Sequence, residues 1–143
     1  MSIKKTGSLS QALNRLLIKK DQQHVKVGII DGSKYPDGTS VASVGFWNEY
    51  GTKTAPSRPF FRSTIAEQKA QWVELTKKGI RAGMSVDHIL GLVGAQMQTD
   101  IQSSIMTWTT PPNSAYTVAK KGFNAPLRNT MLMHDSIKFE VVE

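Results

Sequence analysis

Residues 85–108 read SVDHILGLVGAQMQTDIQSSIMTW, and this stretch decides the fold. Val86, Leu90, Val93, Met97, Ile101, Ile105 and Trp108 recur at spacings of three and four over about six turns, the period of one helix face. Ser85 precedes the pattern and is a good N-cap. A helix of about 22 residues would be on the order of 33 Å long. Gly91 and Gly94 weaken it by roughly 1 kcal/mol each relative to alanine, unless they admit a neighbouring backbone.

Working outward, the upstream segment carries Ile65, Trp72, Leu75 and Ile80 at fair helical spacing. It predicts a helix opening at Ser63 or Thr64 and ending around Gly79, Gly83 and Ser85. Before it, Thr52–Pro59 contains Pro56 and Pro59 and stays extended, because each proline biases its predecessor away from helix. Thr39 or Ser40 caps a short helix through Val41, Val44, Trp47 and Asn48, with Gly51 as its C′ residue. Tyr35–Gly38 is a loop of turn formers. Val25, Val27 and Ile29 alternate with Lys26 and Gly28, a half-buried strand ended by Asp31-Gly32. Ser8 caps a further helix over about 9–20, with Leu9, Ala12, Leu13, Leu16 and Leu17 on one face and Lys19 and Lys20 at its negative end.

Downstream, residues 109–126 lack a period and read as a long loop containing Pro111-Pro112-Asn113. Asn129 or Thr130 then caps a short helix to about Ser136. Ile137, Phe139 and Val141 alternate as a terminal strand, able to pair with residues 25–30 or with another subunit. The expected class is α+β: one domain over residues 1–143, a small antiparallel sheet packed with one long and several shorter helices.

Composition narrows function by exclusion. There are no cysteines among the 143 residues, so no disulfide framework or thiolate metal site is available. No run of about 18 apolar residues occurs, so no membrane span is expected, and the basic N-terminus lacks the apolar stretch of a secretory signal. Lys and Arg number 18 against 11 Asp and Glu, a net charge of +7 that favours polyanionic neighbours, nucleic acid or an acidic protein. The excess is dispersed, with no block of five like charges.

Catalytic patterns are missing. His24, His88 and His134 are scattered, and none pairs at the spacing of a helical zinc site. His134 and Asp135 are adjacent, so on a helix they project about 100° apart. Neither GxSxG nor SxxK occurs, and no glycine pattern cradles phosphate. Glu67 and Glu74 share a helix face that reads as solvated. The expectation is a non-enzyme with no catalytic residue, cofactor or metal.

Two segments carry a family resemblance. The first is Trp47-Asn48-Glu49-Tyr50-Gly51-Thr52 followed by Pro56-Ser57-Arg58-Pro59-Phe60-Phe61-Arg62. The second is Pro111–Thr117, then Lys120-Lys121-Gly122, then Pro126–Thr130 and Ser136-Ile137. In this order they resemble the "NE(F/Y)GT … P-x-RPF-h-R" and "PN…T…KG…PL-x-(D/N)TG-x-L-x-x-SI" signatures of tail-completion and head–tail joining proteins of tailed phages, the minor tail protein Z type. Met131 stands where that family usually has glycine and Asn129 where it has an acid, which predicts ordinary helical φ at Met131.

The resemblance implies a non-enzymatic virion protein, assembled in the host cytoplasm as a ring, typically of six subunits, at the neck. Implied partners are further copies of itself, the head connector or adaptor, and tail-tube or tail-terminator proteins, with genome DNA passing nearby. Candidate contact residues are Trp47, Glu49, Tyr50, Arg58, Phe60, Phe61, Arg62, Asn113, Tyr116, Lys120, Lys121 and Leu127. Arg58 and Arg62 are expected to pair with carboxylates across a subunit contact, as their planar forks allow. The alternative is a small basic nucleic-acid-binding protein, suggested by Arg58–Arg62, where basic and aromatic residues interleave.

Overall fold

A computed structural model describes residues 11, 23–121, 127 and 131–142. The element order is β1 (His24–Ile29), α1 (Val41–Tyr50), α2 (Phe60–Arg81), α3 (Val86–Thr107), α4 (Ala115–Lys121), α5 (Leu132–Asp135) and β2 (Ile137–Val142). The fold is α+β, as expected. The helix expected over 9–20, Gln11 apart, and the caps expected at Asn129 or Thr130 lie outside the described residues.

β1 and β2 form a two-stranded antiparallel sheet, in register from His24 opposite Val142 to Ile29 opposite Ile137. Period-2 alternation turns Val25, Val27, Ile29, Ile137, Phe139 and Val141 to one face, and α3 packs against that sheet. Gly94 makes the approach possible: a Cβ there would sit 2.5 Å from Phe139 Cδ2 and 2.7 Å from Val25 Cγ2. The α3 glycines were expected to admit a neighbouring backbone; at Gly94 it is side chains of the sheet that approach. Gly91 has open space beside it.

Ser85 caps α3, its hydroxyl accepting from the His88 amide at 3.3 Å. Ile89, Val93, Ile101 and Ile105 are buried along its length. α2 is as long as α3, 22 residues, so the fold has two long helices where one was expected. The four residues 82–85 join them, forcing an antiparallel hairpin. Trp72 Nε1 donates to Asp100 Oδ2 at 2.6 Å halfway along it. At the tip, Gly79 lies against Ile89.

Two apolar clusters result. Near the sheet, Val41, Phe60, Ile101, Ile105, Leu127, Met133 and Ile137 pack together. Toward the hairpin tip, Trp72, Ile89 and Val93 form a separate cluster flanked by Leu75, Ile80, Met84 and Met97. Phe60 is fully buried, worth roughly 2–3 kcal/mol on folding.

Three local expectations are corrected. α2 starts at Phe60 instead of Ser63 or Thr64, with Pro59 at its N-cap. The span expected as a loop over 109–126 contains α4, whose first turn is held by the Ser114 hydroxyl accepting from the Thr117 amide at 3.2 Å. Met131 takes φ +61, left-handed and not helical, and sits at the N-cap of α5. Met131 thus adopts the conformation that a glycine would adopt without strain.

Candidate functional site

Glu49 lies in the last turn of α1 and is buried. It is placed there because Val41, Gly45 and Glu49, four apart, share the inward face of that helix. Its carboxylate meets the N-terminus of α2. Oε2 accepts from the Phe61 amide at 3.0 Å, and Oε1 accepts from the Arg62 amide at 3.0 Å and from Arg62 Nε at 2.9 Å.

α2 needs this help. Its N-cap is Pro59, which makes no side-chain cap, and its first turn has no acidic residue. Glu49 therefore caps α2 from another helix and places a negative charge at the positive end of the helix dipole. Arg62 returns the contact, its Nη2 donating to the Glu49 carbonyl at 2.7 Å. Its guanidinium lies 4.7 Å from the Tyr50 ring centroid, a cation–π arrangement.

The connecting turn is built for this approach. Gly51 has φ +78, and a Cβ would sit 2.9 Å from the Ser57 amide nitrogen. The Thr52 hydroxyl accepts from the Ala55 amide at 3.0 Å, and the Ser57 hydroxyl donates to the Glu49 carbonyl at 2.7 Å.

Arg58 ties this unit to the second segment. Its side chain is buried, with Nε donating to the Pro111 carbonyl at 2.9 Å and Nη2 to the Pro112 carbonyl at 2.8 Å. Burial lowers its pKa from the ordinary arginine value, and the two carbonyl acceptors offset part of that desolvation. The Arg58 amide donates to the Asn48 carbonyl at 2.5 Å. Beside this latch runs a groove of about 1000 Å³, lined by residues of the 35–39 loop, α1, the 54–58 turn and the 112–117 segment.

The candidate contact residues divide into two sets. Glu49, Arg58, Phe60 and Leu127 are buried within the chain. The expected pairing of Arg58 and Arg62 with a neighbour's carboxylates is corrected: Arg58 holds backbone carbonyls of its own chain, and Arg62 pairs with its own Glu49. Phe61 is half-buried against the sheet-side core, tilted on Phe60 with ring centroids 4.9 Å apart.

Trp47, Tyr50 and Tyr116 are exposed, Tyr116 at 76% of its surface, and Lys120 is exposed nearby. Asn113 lines the groove, and the Lys121 side chain lies outside the described residues. Phe46, missed in the sequence, is 61% exposed and lies tilted on Tyr50 with ring centroids 4.7 Å apart; Trp47, next to it in α1, is exposed as well. The i, i+4 spacing of Phe46 and Tyr50 was the available signal.

A second, polar cleft of about 350 Å³ lies between the start of α2 and the end of α3, lined by hydroxyls, Glu67 and Asp100. His134 Nδ1 and Asp135 Oδ1 are 2.8 Å apart, although helical neighbours project apart; α5 ends there, and both side chains swing together. Among the described residues no three of His, Cys, Asp and Glu converge as metal ligands. No family model matches the chain, and no curated protein or solved structure matches it.

Proposed function

We propose that the chain is a structural, non-catalytic part of a tailed-phage virion, a tail-completion or head–tail joining protein working as a closed ring at the neck. Genome DNA passes through the lumen of that ring without base-specific contact. Its neighbours are the head connector or adaptor on one side and tail-tube or tail-terminator proteins on the other.

One observation carries this reading. The two segments that bear the resemblance meet in space through Arg58, which holds the Pro111 and Pro112 carbonyls 53 and 54 residues further on. The conspicuous residues of the first segment also have complementary jobs: Glu49 caps, Gly51 turns, Arg58 latches and Arg62 neutralises. A pattern whose parts form one mechanical unit is worth more than two separate matches. The exposed rings of Phe46, Trp47 and Tyr50 supply the apolar surface a partner would cover. The net charge of +7 suits proximity to DNA or an acidic neighbour.

The test is genetic and microscopic. In the encoding phage, loss of this reading frame should leave filled heads and full-length tails unjoined, and immunogold against the protein should decorate the head–tail junction. Intact infectious particles without the protein would overturn the reading. So would a purified monomer that binds DNA tightly at about 150 mM salt with a steep salt dependence, the behaviour of a dedicated DNA-binding protein.

A further inference from the structure

Among the described residues the sheet has two strands, and no other described backbone pairs with the outer side of either one. In an antiparallel pair, alternate residues of each strand aim their N–H and C=O groups away from the partner. Such edges are usually blunted by charged residues, lysine above all, by proline or by a bulge, and here lysine is present, at Lys26 and Lys138. Neither strand contains proline, and the register runs through six consecutive pairs without a bulge.

The apolar face is also incompletely covered. Of the six residues turned toward α3, only Ile137 is fully buried; Val25, Val27 and Ile29 on β1 and Phe139 and Val141 on β2 stay half-buried. Five of the six thus keep part of their surface open.

We infer that the outer edge of β2 pairs, antiparallel, with the outer edge of β1 from a second copy of this chain. Subunits would then join head to tail into a continuous sheet. This rests on the ring-forming reading above and names the contact that closes the ring.

Charge supports this choice of occupant. Lys26 already lies opposite Glu140 within the chain, both on the solvent face. If the contact repeats that register, Lys26 of the second copy lies opposite Glu140 again, and this lysine becomes a complement instead of a guard. Pairing β2 with β2 would satisfy one edge but leave β1 and its half-buried valines uncovered. A head-to-tail contact covers both edges, and its repetition generates a ring when the rotation closes.

The chain has no cysteine, which gives a clean background for cross-linking. Lys26→Cys and Glu140→Cys, both at exposed positions, would be made in separate chains and co-assembled in particles, then oxidised. The mixture should give covalent dimer about ten-fold above either variant alone, because a disulfide needs Cα atoms within about 7 Å. Equal dimer from Glu140→Cys alone would mean two-fold β2 pairing and overturn the inference. Monomer throughout, in particles that contain the protein, would overturn it as well and leave the neck reading standing. If the protein is absent from particles the neck reading fails, and the same mixture as concentrated free protein decides the contact, with no mixed dimer counting against it. Hydrogen exchange on unsubstituted assemblies gives a second readout. Both alternating sets of β2 amides should be protected, and one set still exchanging freely would refute the pairing.

Discussion

Replacing Glu49 by alanine removes the acceptor for three donors at the start of α2. Loss of a helix cap costs about 1–2 kcal/mol. That is the cost of leaving the Phe61 and Arg62 amides without their acceptor, and their partly buried setting puts it at about 2 kcal/mol. Arg62 is 54% exposed, so its ion pair adds less than about 1 kcal/mol after screening. The sum is about 2–3 kcal/mol, or a fall in Tm of roughly 4–12 °C for a chain of this size. Denaturant unfolding followed by circular dichroism and tryptophan fluorescence measures it directly. Arg62→Ala should cost about 1 kcal/mol, and the double-mutant coupling should stay below about 1 kcal/mol. A Glu49→Ala variant within about 0.5 kcal/mol of the parent would refute the capping argument, because no rearrangement in α1 could replace three hydrogen bonds so cheaply.

Gly51→Ala should destabilise by about 1–3 kcal/mol, since the residue has φ +78 and its Cβ would press on the Ser57 amide; the same denaturant curves test it. Met131→Gly should stabilise by about 0.5–1 kcal/mol by relieving a left-handed conformation at φ +61, read as a rise in Tm. Asp31 accepts from Lys138 Nζ at 2.6 Å and from the Ser33 hydroxyl, and its pKa is lowered to about 2. A carboxylate depressed in the folded state contributes stability above its unfolded pKa near 3.8 and loses it as pH falls toward about 2. Asp31→Asn should therefore flatten the acid limb of stability between those values, and carboxyl NMR titration should place the Asp31 midpoint near the lower one. Gly94→Ala should cost about 1–3 kcal/mol, because the sheet must retreat from α3; an unchanged Tm would contradict the close packing.

Signals confined to a few neighbouring residues were legible in the sequence. The alternation of Val25, Val27 and Ile29, the Ser85 cap and the Gly51 C′ position all appear in the structure, because each depends on local backbone geometry. The start of α2 was not legible. Ser63 and Thr64 look like caps, but the helix is capped by Glu49 from α1, and contacts across 12 or 13 residues leave no local trace. The partners of Arg58 were hidden for a different reason. They are main-chain carbonyls, which every residue has, so side-chain complementarity pointed wrongly to carboxylates. Met131 was misread because residue type argues for a right-handed φ, whereas the residue takes a left-handed one at the N-cap of α5.

The Arg58 latch also has a mechanical consequence. It joins residue 58 to residues 111 and 112, and so fastens both roots of the α2–α3 hairpin to one point. The base of the hairpin is held by the latch, the Glu49 cap and the sheet-side cluster. Further along, α3 is braced by the sheet at Gly94 and by Gln23, whose side-chain amide donates to Asp87 in its first turn. The tip has its own small cluster around Trp72, Ile89 and Val93. A load on either root is thus shared by both, because the latch passes it between residue 58 and residues 111 and 112.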